Sequence, residues 1–209
     1  MNLYRDRLIN AIVFFAEKTK SCGKVKLSNL LYLLDFEHFR QTGKSVTGSK
    51  YHAWKFGPVP SLLMEEWKAP STDLSSVVRI VEEQSTAGVR QTVQVREGIR
   101  LNVENFTPRQ LRIMDELAKT YCDLPVSAIT ADTQVKNGAW DKVWRAGAGA
   151  REKIPYALAV PEDAKDRHII LQIAQERQMY EASNAAEAIE RHRARRNVSD
   201  FGCSTQSLP

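Results

Sequence analysis

Cysteine is scarce in this chain: Cys22, Cys122 and Cys203 among 209 residues, an odd number at wide spacing with no CxxC pair. Disulfide frameworks and zinc ribbons need paired cysteines, so neither is expected, and a reducing cytoplasm is the natural setting. Long apolar runs are also missing, and none approaches the roughly 18 residues of a membrane span. Leu8 to Ala16 is broken by Asn10 and followed by no small-residue cleavage site, so a secretory leader is not expected. Charge of one sign is in slight excess: 30 Lys and Arg against 25 Asp and Glu, a net +5. That is too mild to indicate nucleic acid by itself and suits an acidic protein partner equally well.

The motifs of common catalytic and cofactor sites are incomplete. Gly43-Lys44-Ser45 ends like a phosphate-binding Walker loop, but the pattern needs Gly five residues earlier and position 38 is His. Gly147-Ala148-Gly149 opens like a dinucleotide fingerprint, yet position 152 is Glu. There is no GxSxG elbow and no HExxH pair. His38, His52, His168 and His192 are far apart, without ligand spacing. No metal, no cofactor and no enzymatic activity are therefore expected. Asp35 and His38 share a helix face at i and i+3. They read either as an acid–base pair or as a polar helix end with Asp35 bonded to a neighbouring turn. The second is preferred, because the pair has no third group.

What is present is an ordinary globular composition, 43% apolar and 26% charged. Leu8, Ile9, Ile12, Val13 and Ala16 repeat at helical spacing, predicting a helix over Leu3 to Lys18. Lys26 to Gln41 is apolar nearly all round, as in a central helix, and Gly43 ends it. Tyr51 to Phe56 is aromatic, a short extended or helical piece, and Gly57-Pro58 forces a turn. Ser76 to Glu83, Gln91 to Val95 and, as a third candidate, Ile99 to Val103 alternate and are rich in β-branched residues. Thr107-Pro108 is a helix start, and shorter helices are expected over Pro125 to Thr133 and Ala139 to Arg145. Pro161 opens a long helical stretch ending in Arg191, Arg193, Arg195 and Arg196. The fold expected is α+β, predominantly α-helical, with a small antiparallel β-meander and a long C-terminal helix. The expected divisions are a domain over 1–160, a helical extension over 161–196 and a disordered polar tail over 197–209.

Several of these residues recur together as a signature. They are Lys26-Leu27, Leu30-Leu31-Tyr32 and Asp35 in the early helix, Thr47-Gly48, then Tyr51, Trp54, Gly57, Pro58 and Val59, and a late Trp140. The combination resembles the Panacea domain, the SocA-like antitoxin domain found beside small toxin genes in bacteria and their phages. Many members carry Pro before the late Trp, where this chain has Ala139. The resemblance implies a cytoplasmic antitoxin of a type II toxin–antitoxin system, chromosomal or prophage-borne and linked to phage defence. It would bind and neutralise a cognate toxin encoded by a neighbouring gene.

A relative in that family delivers its toxin to a protease, so an adaptor role is an alternative, as is transcriptional regulation. Partner-binding residues are expected at Tyr32, Asp35, Trp54, Lys55, Phe56, Gly57, Pro58 and Val59. In that picture Tyr32 and Asp35 fix the loop through hydrogen bonds while Trp54, Lys55 and Val59 supply contact. The plainer reading gives Tyr32, Asp35, Gly57 and Pro58 to the fold alone. The long C-terminal helix is a rival contact surface. Arg191, Arg193, Arg195 and Arg196 either touch nucleic acid or complement the helix dipole. No DNA-reading motif accompanies them. An enzyme built on Asp35, His38 or Asp141 also stays open.

Overall fold

A computed structural model describes residues 2–85 and 88–201 of the protein, the side chains of 85 and 192–201 excepted. Helix α1 (Leu3–Lys18) is started by Asn2, whose side chain accepts from the backbone N–H of Tyr4 and Arg5. Helix α2 (Lys24–Thr42) is closed by Gly43 in the left-handed conformation at φ 70. A Cβ on Gly43 would also lie 2.6 Å from the carbonyl oxygen of Ile170, so close approach of a later helix adds to the demand for glycine there. As its sequence predicts, α2 is central. Leu27, Leu30, Leu31, Leu34 and Phe36 are buried in one cluster with Ile12 and Phe15 of α1.

The antiparallel strands form two separate hairpins, and the second is the expected meander in its two-stranded form. Strand β1 (Tyr51–Trp54) pairs antiparallel with β2 (Gly57–Pro60), from Tyr51 opposite Pro60 to Trp54 opposite Gly57. After the short helices α3 (Ser61–Glu66) and α4 (Thr72–Val77), β3 (Val78–Ser85) pairs with β4 (Gly88–Val95). Ile99 to Val103 forms no strand: 99–102 are irregular and Val103 begins a 3-10 turn. The outer edge of β4 is already occupied, because Val93 N–H donates to Cys22 O and Thr92 bridges Gly23. Alternation alone cannot reveal that a strand edge is filled by the link between two helices. Tyr51 to Phe56 resolves as extended chain turning at Lys55-Phe56, with Gly57 inside the second strand.

Helix α5 (Pro108–Tyr121) carries the full capping box, Thr107 and Gln110 each bonding the other's backbone. Helices α6 (Val126–Thr133) and α7 (Ala139–Trp144) follow as expected. Helix α8 spans Arg167–Phe201 and starts later than Pro161, because 161–166 are taken up by turns. The Arg167 guanidinium donates back to the Val160 carbonyl at this start. Ile170 and Ala174 dock on Phe39 and Val160, a second small core. Beyond Arg177 every side chain through Arg191 is exposed. Part of the tail expected to be disordered, residues 197–201, has helical backbone in α8, and 202–209 lie outside the described residues. No helix among the described residues is long and apolar enough to cross a membrane.

Candidate functional site

The fourth turn of α2 buries Asp35 completely. One carboxylate oxygen accepts from the backbone N–H of Val46 and Thr47, both at 2.7 Å. The other accepts from the hydroxyls of Thr47 and of Tyr51 at 2.8 Å, and lies 3.2 Å from the Tyr156 hydroxyl, which donates its proton to Ser49 O at 2.6 Å. Burial pushes the Asp35 carboxyl up from its ordinary value, and the Thr47, Tyr51 and Val46 donors pull it back. A carboxylate offers about four lone-pair directions. Four donors converge on them, so Asp35 is a hydrogen-bonded knot. Burial also raises Tyr51 and Tyr156, and the neighbouring Asp35 charge raises them further. His38 faces other partners: its Nδ1 lies 2.6 Å from Lys44 O. Asp141 accepts from the Asn137 N–H at 2.9 Å at the start of α7, a capping contact.

Asp35 thereby joins the loop after α2, the first hairpin strand and a turn 121 residues away. Aromatic rings pack around the knot. Tyr32 lies 4.0 Å from Phe36 and 5.5 Å, edge-on, from Tyr51, while Tyr156 stacks on Phe39 at 5.3 Å. Tyr32 is buried, and burial pushes its phenol well above the usual range. It supports the hairpin by ring packing on Tyr51.

The hairpin is held from both sides and from below. Along the outer edge of β1, Ala53 N–H donates to Glu152 O, Arg151 N–H to Ala53 O and Ile154 N–H to Tyr51 O, all at 2.7 to 2.9 Å. Pro58 and Pro60 have no N–H, which suits β2 to an edge. Gly57 has φ +112, and a Cβ there would meet Asn29 Oδ1 at 2.5 Å. Asn29 is itself buried, bonded to Thr130 and Thr133 of α6. At the turn, the Trp140 indole donates to Trp54 O at 3.1 Å and the Gln134 amide to Lys55 O at 3.0 Å.

The tip itself faces solvent. Trp54 is 37% and Phe56 62% exposed, which marks an apolar surface on a fixed backbone. Arg151 lies over the Trp54 ring at 5.3 Å and Lys55 Nζ over the Phe56 ring at 5.6 Å. The eight expected partner-binding residues are thus brought together but divide in two. Trp54, Lys55 and Phe56 are exposed and Val59 half-buried, while Tyr32, Asp35, Gly57 and Pro58 are buried. Asn29, Gln134, Arg151 and Tyr156 were not singled out from sequence; none belongs to a local pattern. Lys26 of the signature lies elsewhere. It is buried, and its ammonium donates to the carbonyls of Lys20, Cys122 and Leu124 at 2.9 to 3.2 Å. Of the basic end, Arg191 pairs with Glu187 at 3.2 Å, whereas the side chains of Arg193, Arg195 and Arg196 lie outside the described residues.

A helical α+β scaffold thus presents an aromatic, cationic hairpin tip on a pre-set backbone. The chain belongs to the family described as "Antitoxin SocA-like, Panacea domain", whose model matches residues 27–141. No curated protein and no solved structure matches the chain. Every signature residue except Lys26 falls within the matched span, which runs from the first buried leucine of α2 to Asp141 of α7. Helix α1 lies outside the span yet contributes to the same core.

Proposed function

We propose that the protein is the antitoxin of a type II toxin–antitoxin system, acting in the cytoplasm without catalysis. It neutralises a toxin encoded by a neighbouring gene through direct contact. The hairpin tip is the contact: Trp54, Lys55 and Phe56 meet the toxin, with Val59 beside them. Tyr32, Asp35, Gly57 and Pro58 hold that tip in place.

The observation that carries the reading is the pairing of exposed aromatic side chains with a turn whose carbonyls are fixed from behind. A fixed backbone loses little entropy on association, and Trp is enriched among residues that dominate binding energy. Co-expression with the adjacent open reading frame, followed by pull-down and a growth assay, tests it. The neighbour is toxic alone and is bound and silenced by this protein. Trp54→Ala with Phe56→Ala weakens that complex at least about 30-fold with unchanged melting temperature, the loss of about 2 kcal/mol usual for a hot spot. Intact rescue and unchanged affinity in the folded double variant would remove the tip from the interface. Loss on deleting the exposed half of α8 would move the contact there.

A further inference from the structure

At the end of α2 remote from the hairpin turn, a cavity of about 530 Å³ opens between the starts of α1 and α5, the loop after α2 and one face of α8. Arg7, Lys44, Arg109 and Arg177 line it with His38, and no Asp or Glu does. Arg177 is offset by Glu181 at 2.8 Å. Arg7, Lys44 and Arg109 take part in no ion pair among the described residues. Arg7 is anchored by its Nε to Asn105 O at 2.7 Å, so one cation is fixed in place.

His38 is buried beside these cations. Its ring is 5% exposed, with Nδ1 at 2.6 Å from Lys44 O and Nε2 at 3.5 Å from the Gln110 amide nitrogen. The carbonyl takes a proton from Nδ1 and the amide gives one to Nε2, which is the neutral ring. Burial, then Arg109, Arg7 and Lys44, hold its pKa below the ordinary histidine value. The N-terminus of α5 adds positive potential of its own. The three cations outside any ion pair repel one another in a concave site, and an anion there relieves the repulsion. Tyr4, Pro108 and Ile173 give the same cavity an apolar side. Its volume falls in the range of small-ligand sites, roughly 300–1,000 Å³.

We propose that this cavity binds a small phosphorylated ligand, its phosphate or pyrophosphate group held by Arg7, Lys44, Arg109 and Arg177. None of the hairpin-tip residues lines it, so the site is separate from the toxin contact.

The test is calorimetric titration and thermal unfolding of the full chain with inorganic phosphate, pyrophosphate and ADP at constant ionic strength. Pyrophosphate at 100 times its dissociation constant raises the melting temperature by roughly 5–10 °C. Lys44 and Arg109 are exposed, so replacing them leaves the core intact. Lys44→Ala and Arg109→Ala each weaken binding at least tenfold, whereas Lys119→Ala, in the last turn of α5, does not. Tighter binding of ADP than of pyrophosphate identifies a nucleotide as the source, and equal binding a free anion. No shift with any probe at about 10 mM overturns the proposal, since that excludes even millimolar affinity. Equal loss in all three variants also overturns it, as does binding confined to a DNA duplex with steep salt dependence.

Discussion

Asp35 is the residue on which the most distant parts of the chain converge. Removing its carboxylate leaves two buried N–H groups and the Thr47 and Tyr51 hydroxyls without that acceptor, each unsatisfied group costing about 1–3 kcal/mol. Asp35→Ala is therefore expected to destabilise by about 3–5 kcal/mol, read from urea unfolding, while Tyr51→Phe costs about 1 kcal/mol because one donor of four is lost. Equal losses in the two variants would show that the carboxylate is not the shared acceptor. A different carboxylate carries the acid sensitivity. Arg5 bonds Asp73 at 2.8 Å and, with Ser71, holds it well below the usual carboxylate range. A depressed carboxyl contributes stability that is present above its unfolded value, about 3.9, and is lost as pH falls below it. Asp73→Asn should flatten the stability profile between about pH 4 and 2 and leave its shape at neutral pH unchanged. An unaltered acid limb would exclude this pair as its source.

Among the elements, the β1–β2 hairpin ties sequence most directly to the proposed contact. Gly57→Ala places a methyl against Asn29 Oδ1 and asks Ala to adopt φ +112. Strain of this kind costs about 1–3 kcal/mol. Both melting temperature and toxin affinity are expected to fall, in contrast to the tip substitutions, which lower affinity alone. Asn29→Ala combined with Gly57→Ala removes the clash but not the φ penalty, so a partial recovery of stability is expected; none at all would put the whole cost in the backbone. Helix α8 behaves oppositely. Truncation after Ala182 removes only exposed side chains among the described residues, and unfolding free energy should change by less than about 0.5 kcal/mol.

For the whole molecule, the sequence was most readable where information is local. The periodic leucines of α2 and the Thr107-Pro108 start of α5 needed no tertiary context. The expected contact residues clustered for a similar reason, since they lie on one helix and one hairpin between Tyr32 and Val59. Long-range features stayed hidden. Ile99 to Val103 has a strand's alternation but no edge to join, because Cys22 and Gly23 occupy β4. The division of Tyr32 and Asp35 from Trp54 and Phe56 into support and surface depends on burial, which Tyr156 and residues 151–154 complete from far along the chain. The +5 net charge reads as unremarkable in the sequence, yet folding gathers four cations around one cavity.

The β1 edge bonds to residues 151–154 also bear on timing. Strands β1 and β2 are synthesised within the first 60 residues, but β1 lacks its second neighbour, and Asp35 its Tyr156 neighbour, for almost 100 residues more. At about 5–20 residues per second, that interval lasts roughly 5–20 seconds. The hairpin emerges early and matures late, so a nascent chain cannot present the finished tip until most of its length has been made.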